Sequence, residues 1–336
     1  MNEKILITGA SGFAGSFLVE EGLKQGMQTW AGIRKTSSKK YLQDPRIQFA
    51  ELDFSHPNIL HQQLTKHKKE HNGWDYIVHC AGITKCIHTE DFDKINYVGT
   101  RNFIEALQAL NMVPKKFIYI STLSVFGPIH EKDYALIKDS DERQPNTAYG
   151  ISKLKSENLI LSLKDFPYII FRPTGIYGPR EKDYFLLVKS INKHIDISVG
   201  YRKQLITFIY VKDFVRAVYK ALNKNVIRRT YFLTDNAVYT SRAFSDYTQK
   251  YLGTPWVIHI KCPLFGLKII SIIAEFFASL LGKTSTLNHD KYKIMKQRNW
   301  KCDITPAIKE LEYVPEYPLE RGVKEIVTWY KKERWL

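Results

Sequence analysis

The chain is poor in cysteine and shows no pairing pattern for it. Cys80, Cys86, Cys262 and Cys302 are the only four in 336 residues, and none stands in a CxxC spacing. That excludes a disulfide framework and leaves four reduced, structural thiols. Acidic residues are also scarce, 34 Asp and Glu against 50 Lys and Arg, for a net charge of +16. The basic excess is spread along the whole chain without zinc-finger spacing or an aromatic-basic RNA signature. A nucleic-acid partner is therefore not expected, and an anionic, phosphate-bearing ligand fits the charge at least as well. Repeats and low-complexity tracts are missing. The opening MNEKILITGA lacks the basic region, long apolar core and small-residue cleavage site of a signal peptide, so the expected compartment is the cytoplasm. Hydrophobic content of 44% is ample for one or two packed cores.

What is present is an alternation. KILIT, TWAGI, IQFAEL, YIVHC, FIYIS and YIIFR are apolar runs, each separated from the next by enough chain for a crossover helix. This predicts an α/β fold: a doubly wound parallel sheet of Rossmann type, with helices on both faces. After about residue 175 the rhythm breaks, and YGPREKDY and VPEYPLE supply turns. Residues 1–175 read as this Rossmann-type domain, with a strand and helix at about 205–235 returning to it. Residues 176–336 read as a smaller, discontinuous, mixed α/β region that binds substrate over the carboxyl edge of the sheet.

The first loop carries chemistry. In ILITGASGFAGSFLVEEGL a strand is followed by Gly9, Gly12 and Gly15 and then by an amphipathic helix. Glycines there let the backbone turn tightly and approach a ligand, while the helix N-terminus points N–H groups at a pyrophosphate. An ordinary strand-to-helix turn is the plain alternative, which the position at the first strand, directly after Thr8, argues against. The second strand ends in TWAGIRK. A carboxylate at this tip would bind the ribose 2′-hydroxyl of NAD, whereas an arginine accommodates the 2′-phosphate of NADP. Gly32, Ile33 and Arg34 include no acid, so Arg34, helped by Lys35, Ser37 or Ser38, argues for NADP; NAD stays open, since a basic turn can simply be solvated. Asp53, after the third strand, is placed to accept a hydrogen bond from the adenine amine.

TAYGISKLKSE sets Tyr149 and Lys153 four residues apart on one helical face, and YISTLSVFG supplies Ser121 and Thr122 at the end of the fifth strand. A nearby ammonium and the positive nicotinamide ring would both favour the phenolate, lowering a pKa of about 10. Tyr149 could then serve as general acid or base near neutral pH. Lys153 would also bind the nicotinamide ribose, and Thr122 would hold the substrate oxygen.

Taken together, TGASGFAG, Asp53, HCAG (His79 to Gly82), NYVGTRN from Asn96, STLSVFG, YGISK, FRPTGIYGP from Phe171 and FIYVKDF from Phe208 resemble an extended short-chain dehydrogenase/reductase of the NAD(P)-dependent epimerase/dehydratase family, over residues 4 to about 220. The resemblance implies an NAD(P)-dependent enzyme with Tyr149 as proton donor or acceptor and Lys153, Thr122 and Ser121 beside it. For the cofactor it implies Gly9, Ser11, Gly12, Phe13, Ala14, Gly15, Asp53, Phe54, Cys80, Ala81, Gly82, Lys153, Pro173 and Thr174. It also implies a homodimer through the helices following Asn96 and Tyr149.

Departures from the family pattern narrow the chemistry. Sugar-nucleotide dehydratases carry Asp-Glu after the threonine, where Leu123 and Ser124 stand here, so dehydration is disfavoured. Sugar-nucleotide epimerases carry an asparagine before YGP and an arginine before the Phe-Ile-Tyr-Val strand, where this chain has Gly175 and Ile206; Arg180, Arg202 or Lys203 could compensate. The tip GIRK looks like dihydroflavonol-4-reductase relatives, which reduce ketones with NADPH.

The apolar run at 264–281 carries Lys268, Ser271, Glu275 and Ser279 as one narrow polar stripe, and two charges argue against a membrane span. A helix buried against the C-terminal region or a partner subunit is the favoured reading. A membrane-surface anchor or greasy substrate lid, as in relatives resembling hydroxysteroid dehydrogenases, is the alternative. His67 and His71 lack an evident third ligand, so no metal is expected. The expected activity is interconversion of a secondary alcohol and a ketone on a small-molecule substrate. A nucleotide-sugar 4-epimerase or 4-ketoreductase is the second reading, and a non-catalytic dinucleotide-binding regulator the third.

Overall fold

Each of the six apolar runs becomes a strand of one sheet: β1 (Lys4–Thr8), β2 (Gln28–Ile33), β3 (Gln48–Glu51), β4 (Tyr76–His79), β5 (Lys116–Ile120) and β6 (Tyr168–Pro173). The connecting helices are α1 (Phe13–Lys24), α2 (Pro57–His71), and a helix that starts as α3 (Glu90–Phe92), passes through a π-helical turn at Asp93–Val98 and continues as α4 (Gly99–Ala109), followed by α5 (Ala148–Ser162). The computed structural model describes residues 3–280, 282, 284–285 and 287–336.

A seventh strand, Arg229–Leu233, closes the sheet, whose order runs from it through β6, β5, β4, β1 and β2 to β3. Every pair from β3 to β6 is parallel. Strand order therefore reverses at β1, and the crevice between β1 and β4 is the point where such sheets bind ligands. Register sharpens the position: Thr8 lies opposite Gly32 on β2 and opposite His79 on β4. Three strand ends thus meet at one edge.

Ile5, Leu6 and Ile7 are wholly buried, as expected of strands covered on both faces. α2 begins with Pro57 in its first turn and stops at Asn72, which takes the left-handed conformation (φ 64°) that ends many helices. On this side of the sheet Leu60, Leu64, Phe103, Leu107 and Trp74 pack as one apolar cluster. His67 and His71 belong to it. The His67 ring stacks on Trp74 at 3.9 Å, and both histidines lie against Trp30.

The chain divides into two compact units. Met1–Val125, Ala148–Arg172 and Val215–Tyr231 form the first; Phe126–Thr147, Pro173–Phe214 and Phe232–Leu336 form the second. In the second, strands Gly175–Tyr177 and Phe208–Tyr210 pair in parallel, and Tyr177, Phe208, Phe244, Val323 and Ile326 share a core. Strand Ile195–Val199 pairs in parallel with Ile258–Cys262, which leads into the helix Leu264–Leu280. Burial of that helix against the C-terminal region does not hold. Leu267 and Ser271 are its buried positions, while Phe265, Ile269, Ile273 and Phe276 are exposed. Leu281 and the Ser279 side chain lie outside the described residues. Among the described residues no helix is long and apolar enough to cross a membrane.

Candidate active site

The glycine loop is built by close approach. After Thr8 the chain turns at Gly9 (φ +66°), where a Cβ would lie 2.8 Å from the carbonyl oxygen of Cys80. A Cβ on Gly15 would come within 2.2 Å of the Gly9 carbonyl oxygen, so α1 starts directly on top of the turn. Gly12 precedes α1 with no side-chain cap, and the first turn contains no acid. The positive end of the helix is therefore left for an anion, and a pyrophosphate fits this cradle. Ser11, Phe13 and Ala14 are half-buried around it, and the Phe13 ring packs edge-on against Phe17.

A hydrogen-bonded chain fastens the neighbouring strand end. Thr100 donates to the Asn96 carbonyl (2.6 Å), so its oxygen accepts from His79 Nε2 (3.0 Å). The His79 ring is neutral, because burial drives its pKa down to about 3. Nδ1 is then left to accept from the Thr8 hydroxyl (2.9 Å), whose oxygen accepts the Ala81 N–H (3.2 Å). Cys80 lies just beyond β4, its thiol pushed up to about 11 by burial. Gly82 lies against Asn96, which holds the Ile83 N–H (2.8 Å) and donates to Ser152 on α5 (3.0 Å). The motif HCAG marked this segment, but only the structure shows His79 as its tie.

At the β2 tip Arg34 and Lys35 are exposed, and the Ser37 hydroxyl accepts the Arg34 backbone N–H at 3.0 Å. The Arg34 guanidinium makes no hydrogen bond or ion pair among the described residues. The Asp53 carboxylate accepts the Ser55 N–H (3.0 Å) and meets His56 Nδ1 (2.9 Å), shaping the turn into α2. Phe54 packs edge-on against His79.

Tyr149, Lys153 and Thr122 come together. The Thr122 hydroxyl hydrogen-bonds the Tyr149 phenol. One turn along α5, Lys153 is 4% exposed and donates to the Ile120 carbonyl at 2.5 Å, its ammonium 4.1 Å from the centre of the Tyr119 ring. Burial raises the Tyr149 pKa, and the Lys153 charge and the Thr122 hydrogen bond pull it back; burial outweighs them in the protein alone. The lysine acts on the phenol in the direction expected from the sequence, but the net shift is upward. Burial also lowers the Lys153 pKa.

Ser121 is turned away from the phenol. Its hydroxyl donates to Glu157 (2.5 Å), whose carboxylate is paired with buried Arg172 (2.8 Å). Nothing in the motifs pointed to Glu157, although its place one turn beyond Lys153 was a usable signal. Leu123, next to Thr122, is buried in the core. Pro173 ends β6 in the second unit, and Thr174 donates its N–H to the Leu233 carbonyl at 3.2 Å.

Comparison with known proteins agrees with this layout. Among curated proteins the chain is 26% identical to a UDP-N-acetyl-alpha-D-glucosaminuronate decarboxylase of Bacillus cytotoxicus, over 99% of each chain. It is 24% identical to a decarboxylating sterol-4-alpha-carboxylate 3-dehydrogenase of Candida albicans, over 98% of each. Among solved structures, a UDP-glucuronic acid 4-epimerase from Bacillus cereus in complex with NAD superposes with a TM-score of 0.76 at 22% identity, covering 98% of this chain and 99% of that one. A family model described as the NAD dependent epimerase/dehydratase family matches residues 5–233. Since that span runs from the first strand of the sheet to its last, the chain belongs to this family of NAD(P)-dependent enzymes.

Proposed function

We propose that the protein is an NADP-preferring oxidoreductase that interconverts a secondary alcohol and a ketone. The observation that carries the reading is the Tyr149 phenol held by Thr122 with the Lys153 ammonium buried one turn behind it. The nicotinamide, when bound, supplies or accepts the hydride. Tyr149 gives its proton to the ketone oxygen in reduction and takes it back in oxidation. Thr122 orients that oxygen, and the Lys153 charge lowers the cost of the phenolate left behind. Gly9, Gly12, Gly15 and the first turn of α1 hold the pyrophosphate, and Arg34 with Lys35 binds the 2′-phosphate. Exposed Ile95 and Ile151, on the helices after β4 and before β6, support a homodimer through those helices.

Two features of the second unit favour a substrate other than a nucleotide sugar. A side chain at Gly175 would meet the Tyr184 hydroxyl within 2.2 Å of its Cβ, so tyrosine already fills the space an epimerase-type asparagine would need. Ile206 pairs with Tyr239 and offers no charge to a diphosphate. Buried, apolar Leu123 likewise puts no acid beside Thr122 for elimination of water. A nucleotide-sugar 4-epimerase remains the second reading, favoured by the fold match to UDP-glucuronic acid 4-epimerase.

The test is to acid-quench purified protein, identify any released nucleotide, and then follow NADPH consumption with ketones, apolar ones first, for the native protein and Tyr149→Phe. Empty protein that turns over with NADPH and loses the activity in Tyr149→Phe supports the proposal. Stoichiometric bound NAD moves the assignment to epimerisation, and turnover that survives Tyr149→Phe refutes the mechanism.

A further inference from the structure

The helix Leu264–Leu280 is amphipathic in the inverted sense. Its polar stripe is turned only partly inward: Ser271 is wholly buried and donates to the Lys268 carbonyl (2.8 Å), half-buried Glu275 accepts the His289 N–H (3.2 Å), and Lys268 is exposed. Its apolar side faces out. Eight large apolar side chains, Phe265, Ile269, Ile273, Phe276, Phe277 and Leu280 among them, are each 50–71% exposed. At 100° per residue they share one arc of about 160°, and no charged residue falls within it. A surface helix of a globular protein does the reverse, and a patch of this kind in water marks an interaction site.

Three observations identify the occupant. Residues 255–298 carry seven lysines and arginines against two acids, Glu275 and Asp290, in a chain of net charge +16. An anionic lipid surface complements that charge, whereas a second copy of the chain would bring like charges together. Next, Trp256 and Tyr201 are 56% and 71% exposed, and both flank the apolar segment: Trp256 precedes the strand that feeds the helix, and Gly200, beside Tyr201, lies against Leu264 at the helix start. Amphipathic rings of this kind settle at the headgroup level of a bilayer. Finally, the strand itself contributes. Ile258 and Ile260 sit in register with Ile195 and Ile197, all four exposed, while on the other face of the ribbon Asp196 binds Ser245 and His259.

We propose that this face docks the protein on an anionic lipid bilayer, with the helix lying in the headgroup plane rather than crossing it. This inference is independent of the proposed reaction. The test is flotation of the full-length protein with vesicles of phosphatidylcholine alone and of phosphatidylcholine mixed with phosphatidylglycerol, beside sedimentation velocity. The native protein is expected to float with the mixed vesicles, less so as salt rises. Ile269→Glu/Ile273→Glu/Phe277→Glu, at positions already exposed, should keep its circular dichroism and melting temperature while losing binding by roughly tenfold or more. Failure to bind either vesicle would overturn the proposal, as would unchanged binding by the triple variant. So would a dimer of the native protein that the triple variant splits while neither floats, which would assign the face to a second copy.

Discussion

Arg172 on β6 and Glu157 on α5 form an ion pair with side chains 1% and 0% exposed, and Ser121 spends its hydroxyl on the same carboxylate. Truncating Glu157 would leave a buried guanidinium without its carboxylate, whereas replacing both partners removes the charge altogether. Glu157→Ala is expected to lose about 3–5 kcal/mol in urea unfolding, and Glu157→Leu/Arg172→Met much less. Equal losses in the two variants would show that packing, not the stranded charge, sets the cost. The pair also clamps the end of β5, so Glu157→Gln should lower turnover through Thr122 more than it weakens cofactor binding.

Lys153 is the second test. Burial raises the Tyr149 phenol and lowers the Lys153 ammonium, while each group pulls the other back. In the proposed reaction the protonated phenol is the donor for reduction, so the reduction rate should fall as pH rises through the phenol's pKa, and alcohol oxidation should rise over the same range. Lys153→Met removes the opposing charge and moves both profiles to higher pH. A profile that keeps its midpoint in Lys153→Met would separate the lysine from the proton transfer.

Two histidines make stability depend on mild acid. Burial lowers His67 to about 4 and His79 to about 3 from an ordinary 6.5. Both are uncharged in the fold but protonated in the unfolded chain below pH 6.5, so stability is complete above that pH and drains as pH falls. Each histidine costs up to about 1.4 kcal/mol per pH unit in this window. The buried Nε2 of His67 has no hydrogen-bond partner among the described residues, and its ring stacks on Trp74. His67→Phe should keep the stacking, be at least as stable at pH 7, and show a visibly shallower decline between pH 6.5 and 4. An unchanged slope in urea titrations would remove His67 from the account.

The sheet was readable because its inner strands, β1 and β4 to β6, are buried on both faces and so appear as apolar runs, while edge strand β3 keeps Phe49 and Glu51 exposed. Gly9, Tyr149 and Lys153 stood out as candidates because dinucleotide chemistry needs those residue types at fixed spacings. His79 and Glu157 were not. Each ties together elements far apart in sequence, and a histidine or glutamate in an isolated stretch looks like any surface residue until the fold buries it. The helix at 264–280 shows the converse limit. Periodicity set Ser271 and Glu275 opposite the large apolar side chains, but periodicity carries no sign, so it could not say which side faces water. In the fold Ser271 is buried, Glu275 is held by the His289 N–H, and Lys268 stays exposed.

The proposed NADP preference rests on the β2 tip. Arg34 is exposed, makes no side-chain hydrogen bond or ion pair among the described residues, and has Lys35 beside it. A 2′-phosphate placed there would gain charge-assisted hydrogen bonds that a 2′-hydroxyl cannot supply, whereas a carboxylate would repel the phosphate and accept from the hydroxyl. Arg34→Glu should therefore weaken NADPH by roughly a hundredfold, taking two charge-assisted contacts at about 1.5 kcal/mol each, and leave NADH equal or tighter. Because the side chain is solvent-exposed, the melting temperature should not move, so a change in preference can be read as recognition. Fluorescence titration with both nucleotides decides it: parallel losses for NADPH and NADH would mean that Arg34 touches a part of the cofactor common to both, and the case for NADP would fall.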